Sequence, residues 1–292
     1  MTQAQSNEIE LEFDTFGDSQ RPAIMLIMGL GQQMIAWPEP LCNGLASEGF
    51  YVVRFDNRDS GLSTKFESFG VPNILAGLSG DGSGTPYSLV DMADDTVGLM
   101  DYLDIKTAHV VGVSMGGMIA QQAVIDSPDR FLSMCSMISS TGARDVGQPS
   151  AEVVAALMRL GGADNGNAVE SSLEASKAIS SRKYFDQMTE RKLITTSYER
   201  NYCPGGFMRQ LMATVTASDR TAQLREVLIP TLVIHGLADR LVDPSGGIAT
   251  AKAIPDARLL AFEGMAHELP VPLWPEIRGA ILANIRRAAV PG

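Results

Sequence analysis

At 292 residues, with 45% hydrophobic and 20% charged side chains, the chain is long enough to bury a large core as one α/β domain or as a domain with an insertion. A formal net charge of −11 argues against nonspecific nucleic-acid binding and against an anionic membrane surface. Cys42, Cys135 and Cys203 are far apart and lack C-x-x-C spacing, which gives no zinc framework and fits a reduced cytoplasm. Residues 1–10 are polar, without a charged-then-apolar leader pattern, and no apolar run reaches the length of a membrane span. The expectation is a cytoplasmic protein.

Glu8 to Phe13 alternates polar and apolar side chains, which predicts a half-exposed edge strand. Ala23 to Met28 is continuously apolar, as a central parallel strand should be, and Gly29-Leu30-Gly31 breaks it. A short helix follows within Trp37 to Phe50, with Leu41, Leu45 and Ala46 on its apolar face, and Tyr51 to Phe55 is the next strand. It runs into a polar loop, Asp56 to Ser63. Residues 66–88 hold many Gly, Ser and Pro and predict a surface excursion. Ser88 or Asp91 caps a helix running to Asp104.

The run His109-Val110-Val111-Gly112-Val113 predicts a strand, and Met118 to Val124 a helix, so Gly112-x-Ser114-x-Gly116 lies between strand and helix. There the turn is tight enough to strain the serine backbone and to expose its hydroxyl. A capping serine would share the local pattern. Leu132 to Ile138 is another buried strand. Strands alternating with helices at this spacing predict a doubly wound, mostly parallel α/β sheet.

The alternation stops after Ser140. Residues 142–220 carry helical patterns with breaks at Gly161-Gly162 and Gly205-Gly206, and are too long for an ordinary crossover. They predict an inserted helical cap on a core of 1–141 and 221–292. Its apolar residues Leu157, Met158, Leu160, Phe185, Met188, Phe207, Met208, Leu211 and Met212 pack the cap, and a few of them line the cleft beneath it. Strands at Pro230 to His235 and Ala257 to Phe262, and helices at Pro244 to Ala253 and Pro275 to Arg287, complete the pattern.

A serine hydroxyl is a weak nucleophile and needs a base, held in turn by a third group. Three histidines offer themselves. His109 starts the strand that ends at Ser114, so at roughly 3.3 Å per residue it is remote from the hydroxyl. His235 precedes Gly236 at a strand end and reads as a buried structural residue. His267 follows the last strand and emerges at the same edge as Ser114, where open α/β sheets bind ligands. It is the candidate base. In this type of sheet the orienting acid falls between serine and histidine in chain order. Asp239 and Asp243 both qualify. Asp243 precedes Pro244, which suits a helix cap followed by proline at the first helical position. Asp239 is left as the orienting acid. Two preorganised donors must receive the oxyanion. The candidates are the backbone N–H groups of Met115 and of Leu30, the latter flanked by Gly29 and Gly31.

These pieces together resemble an α/β-hydrolase along nearly the whole chain: Gly112-x-Ser114-x-Gly116, His235-Gly236-x-x-Asp239, Gly264-x-x-His267 before Pro270, and Asp56-x-Arg58-x-x-Gly61-x-Ser63. Many members carry His-Gly where this chain has Met28-Gly29; the backbone donor does not depend on that side chain. Met28-Gly29 with Trp37-Pro38 and Asp56-x-Arg58 is similar to a subgroup that includes the aclacinomycin methylesterases. Relatives with dehalogenase or epoxide hydrolase activity use aspartate at the elbow, and Ser114 excludes that chemistry. The resemblance implies carboxylic ester hydrolysis through an acyl-enzyme, on small to medium, largely uncharged esters, with no metal or organic cofactor. Lactone hydrolysis, cofactor-free perhydrolysis and noncatalytic binding of a small molecule use the same parts.

Overall fold

Apolar runs that cannot face water on either side become the centre of an eight-stranded sheet. The computed structural model describes residues 2–160 and 168–288. In chain order the elements are β1 (Thr2–Ser6), β2 (Ile9–Phe16), β3 (Ala23–Ile27), α1 (Glu39–Ala46), β4 (Tyr51–Phe55), α2 (Ile74–Leu78), α3 (Leu89–Tyr102), β5 (Ala108–Val113), α4 (Met115–Asp126) and β6 (Phe131–Met137). Then come α5 (Ala151–Leu160), α6 (Ala168–Ile179), α7 (Gln187–Arg200), α8 (Pro204–Val215), α9 (Thr221–Leu224), β7 (Thr231–Gly236), α10 (Ser245–Ala253), β8 (Arg258–Phe262) and α11 (Trp274–Ile285). The strand order is β1-β2-β4-β3-β5-β6-β7-β8. Only the pairings of β2 with β1 and with β4 are antiparallel.

Alternation along each strand divides the core into two layers. Met25, Ile27 and Val110 join Met92, Leu99, Ile119 and Val124 from α3 and α4 on one face. Ile24, Leu26, Val111 and Val113 join Leu41, Leu45, Ile277 and Ile281 from α1 and α11 on the other. The doubly wound arrangement read from the sequence is the observed one.

Two differences from the sequence reading have simple causes. The outer strand at this end is β1, so β2 is second from the edge and is longer than the Glu8–Phe13 segment expected there. The residues of β1 are almost all polar, and only Ala4 and Ser6 are buried, so no apolar alternation marks it. The hairpin closes through Asn7 and Glu8, both at positive φ, the twist that a two-residue hairpin turn requires. The second difference is at α3, where Ser88 and Asp91 act together. The Ser88 hydroxyl accepts from the Asp91 N–H while the Asp91 carboxylate accepts from the Ser88 N–H. The helix stops at Tyr102, two residues short of Asp104, whose backbone turns left-handed.

Between β6 and β7 the described chain is helical and contains no strand. Met212 is fully buried and Phe207 packs on Gly31, whereas Met188 is exposed and is not part of the buried packing expected of it. The side chains of Leu157, Met158 and Leu160, and Gly161-Gly162, lie outside the described residues. No helix among the described residues is long and apolar enough to cross a membrane.

His109 is buried at the start of β5, with Nδ1 2.8 Å from Ser133 Oγ and its ring edge-on to Phe50. Burial pushes its pKa down from 6.5 to about 4. The unfolded chain therefore binds this proton more tightly than the folded one. The histidine's contribution to stability is complete above pH 6.5 and is lost as pH falls toward 4. The loss reaches about 3 kcal/mol by pH 4. Urea unfolding across this window should show the decline, and His109→Gln should flatten it.

Candidate active site

The link from β5 to α4 is held by two glycines. A Cβ on Gly112 would stand 2.0 Å from the Gly116 carbonyl oxygen, and one on Gly116 would stand 2.2 Å from that of Ile27. No side chain fits at either position, which lets strand and helix cross at contact. Ser114 at the apex has φ 56° and ψ −120°. A non-glycine residue held there stores roughly 1–3 kcal/mol of strain. Its backbone is fixed by donation from its N–H to Met137 O at 2.8 Å and by the Ser139 hydroxyl donating to its carbonyl at 2.8 Å. Its side chain caps nothing in α4. Instead Ser114 Oγ lies 2.9 Å from His267 Nε2.

His267 stands on the loop after β8, and its N–H donates to Ile179 O at the end of α6. Its Nδ1 is 2.7 Å from Asp239 Oδ2. Asp239 follows β7, and its carboxylate is fully buried. Its Oδ1 accepts from the Leu241 and Val242 N–H groups, both at 2.9 Å, so the loop's own backbone aims Oδ2 at the imidazole. An acceptor-only carboxylate at Nδ1 places the imidazole proton there and leaves Nε2 as acceptor for the serine hydroxyl. The β7 and β8 loops meet because Gly236 has no side chain: a Cβ would stand 2.3 Å from Met265 O.

The two other candidates in this region have different surroundings. Asp243 Oδ1 accepts from the Ser245 N–H at the start of α10, and hydrogen bonding from Ser245 holds its carboxyl below the usual range. Pro244 leads directly into that helix. His235 is buried against Gly247, its Nε2 donating to Val242 O at 2.9 Å, and burial lowers its pKa so that it stays neutral.

The loop after β3 passes directly over the serine: a Cβ on Gly29 would be 3.2 Å from Ser114 Cβ. Among the described residues, neither the Leu30 N–H nor the Met115 N–H meets an acceptor. Met115 directly follows Ser114, and Leu30 directly follows Gly29, the residue whose Cβ position meets Ser114, so both N–H groups remain candidates to receive an oxyanion.

The Asp56–Ser63 loop is a buried scaffold. Asp56 Oδ1 accepts from the Met34 N–H at 2.7 Å, and Oδ2 accepts from Arg200 at 2.6 Å. Asn57 donates to Met28 O, and the Ser60 hydroxyl to Gln32 O. Arg58 forms a two-pronged ion pair with Asp95, and Arg209 forms one with Asp59, which also accepts from the Tyr87 hydroxyl. Gln33, Arg200, Arg209 and Gln210 were not singled out by the sequence. They join segments more than 100 residues apart, and no local pattern announces them. A cleft of about 820 Å³ opens beside the acid loop, on Ser181, Lys183, Asp239 and Gly264, and does not include Ser114. Among the described residues no group of three or more His, Cys, Asp or Glu side chains is placed to hold a metal ion.

Comparison with known proteins agrees with this architecture. Residues 22–271 match the family described as alpha/beta hydrolase fold. The rhodomycin D methylesterase DnrP of Streptomyces peucetius is 27% identical, covering 98% of both chains. The rhodomycin D methylesterase DauP of Streptomyces sp. (strain C5) is 26% identical, covering 97% of both. The crystal structure of an enol-lactonase from Burkholderia xenovorans LB400 superposes with a TM-score of 0.78 at 22% identity, over 98% of this chain and 100% of that one, a likeness of fold. The chain belongs to the alpha/beta hydrolase fold family.

Proposed function

We propose that the protein is a serine carboxylic ester hydrolase working through an acyl-enzyme, with Ser114 as nucleophile, His267 as base and Asp239 as orienting acid. The observation that carries this reading is the continuous relay from Ser114 Oγ to His267 Nε2 at 2.9 Å and from His267 Nδ1 to Asp239 Oδ2 at 2.7 Å. As Oγ attacks the ester carbonyl carbon, Nε2 takes the hydroxyl proton, and Asp239 stabilises the imidazolium through Nδ1–H. The carbonyl oxygen gains the negative charge and accepts from the Leu30 and Met115 N–H groups. Collapse breaks the bond to the alkoxy group, which leaves with the proton from Nε2. Water then attacks the acyl-serine by the same proton path, releasing the acid and restoring Ser114.

In this reading residues 142–220 form a cap over the site, and the apolar side chains it contributes favour small to medium uncharged esters. The methylesterase relatives direct attention to methyl esters, whose leaving group needs little room. Free cysteines fit a cytoplasmic setting, and the net charge of −11 leaves a small molecule rather than nucleic acid as the partner. The test is a series of p-nitrophenyl esters of increasing acyl length, run beside methyl esters and acyl lactones. Saturable turnover of linear esters, stopped by a fluorophosphonate, is the expected result. Labelling without turnover of any ester would replace the enzyme reading with that of a small-molecule binder.

A further inference from the structure

The loop that passes over Ser114 is held on one side by Asp56, Asn57 and Ser60 and on the other by residues from the inserted helices. Gln210, on α8, is completely buried. Its Oε1 accepts from the Gly31 N–H at 2.7 Å, and its Nε2 donates to Arg58 O at 2.7 Å. Both ends of the amide are therefore committed, and the two partners fix which end is oxygen. Gly31 has φ +70°, and a Cβ there would stand 2.5 Å from the Phe207 ring, one turn before Gln210 on the same helix. Two residues further along the loop, Gln33 Nε2 donates to Ser197 O at 2.7 Å and to Asn201 O at 2.8 Å, at the end of α7. Gln33 Oε1 accepts from Arg200 at 2.8 Å. The Met34 N–H is held by Asp56, and the Gln32 N–H by Gly29 O. Between these tied groups the Leu30 N–H meets no acceptor among the described residues.

We propose that Gln210 is a positioning residue that sets the oxyanion hole: by holding the Gly31 N–H it keeps the Leu30 N–H aimed at the carbonyl oxygen of the reacting ester. This rests on the reading of Ser114 as nucleophile and Leu30 as oxyanion donor. It goes beyond that reading by making the seating of α8 part of catalysis as well as of substrate enclosure. Without the glutamine acceptor the Gly31 N–H competes for the same oxygen or turns the peptide, and the Leu30 donor moves off the line of the developing charge. Misplacement by about 1 Å of a group acting only in the transition state costs about 100-fold in rate.

The test compares Gln210→Met with the wild type on one p-nitrophenyl ester and on an aryl trifluoromethyl ketone, which adds the serine oxygen to its carbonyl and forms a stable oxyanion. The expected result is a fall in kcat of about 100-fold with KM little changed, and a parallel weakening of the ketone, because both depend on the oxyanion donors. Unchanged kcat, or a rise in KM alone, overturns the proposal. Gln210→Glu supplies the second measurement. Protonated or ionised, its carboxyl still offers an oxygen to the Gly31 N–H, and only the bond to Arg58 O depends on its proton. It should therefore keep kcat and affinity for the ketone much closer to wild type than Gln210→Met does. A loss in Gln210→Glu as large as that in Gln210→Met overturns the proposal. If Gln210→Met does not fold, Gln210→Asn, one methylene too short to reach the Gly31 N–H, takes its place in the comparison. Ser114→Ala separates the two claims. Full turnover in that variant removes the underlying reading, whereas its inactivity together with wild-type kcat in Gln210→Met removes only the role of Gln210.

Discussion

Ser114→Ala should lower kcat for a p-nitrophenyl ester by about 10⁶-fold, the scale seen when a serine nucleophile is removed from such a relay. Its unfolding midpoint should stay close to wild type. The Ser114 hydroxyl caps no helix, and its partner is His267 Nε2, so alanine leaves the elbow's backbone contacts to Met137 and Ser139 in place. Both residues bear the strain of positive φ equally. Steady-state kinetics with an active-site titration, beside thermal unfolding, checks both halves. A variant that folds and still turns over ester at the wild-type rate would remove the serine from the mechanism.

Asp239→Asn should cost about 10⁴-fold in kcat with the fold intact. The substitution keeps an oxygen where Oδ1 accepts from the Leu241 and Val242 N–H groups, so the loop retains both bonds. At the other position an amide NH₂ replaces the oxygen that faces His267 Nδ1. Two donors then confront each other, and the imidazole relieves the clash by moving its proton to Nε2. That nitrogen can no longer accept from the serine. Asp239→Ala should be worse in a different way. It also leaves the buried Val242 N–H without an acceptor, a cost of about 1–3 kcal/mol that denaturant unfolding would register. If the asparagine variant were as active as wild type while the alanine variant was unstable, Asp239 would be a loop residue only.

The centre of the sheet was legible because its strands are buried on both faces, as at Ala23–Ile27 and Ala108–Val113, and glycine or polar turns bound them. The outer strand β1 was not, because an edge strand in contact with water needs no apolar code: Thr2, Gln3 and Gln5 remain exposed. Ser114, Asp239 and His267 could each be picked from a few neighbouring residues, since each stands just past the end of a strand in a parallel sheet. That topology carries all three to one edge. The groups around Leu30 follow a different logic. Gln33 with Ser197 and Asn201, Gln210 with Gly31, and Arg209 with Asp59 pair across 150 residues or more. Glutamine and arginine in a helical run look the same in sequence whether they face water or a buried carbonyl.

The most direct test is to identify the covalent intermediate. The protein is mixed with p-nitrophenyl acetate, quenched in acid within the first turnover, digested and examined by mass spectrometry. One acetyl group is expected on the peptide containing Ser114, formed at the rate of the p-nitrophenol burst and lost at the steady-state rate. Turnover without that adduct, or an adduct on a different residue that forms and decays at those rates, would contradict the role of Ser114 as nucleophile.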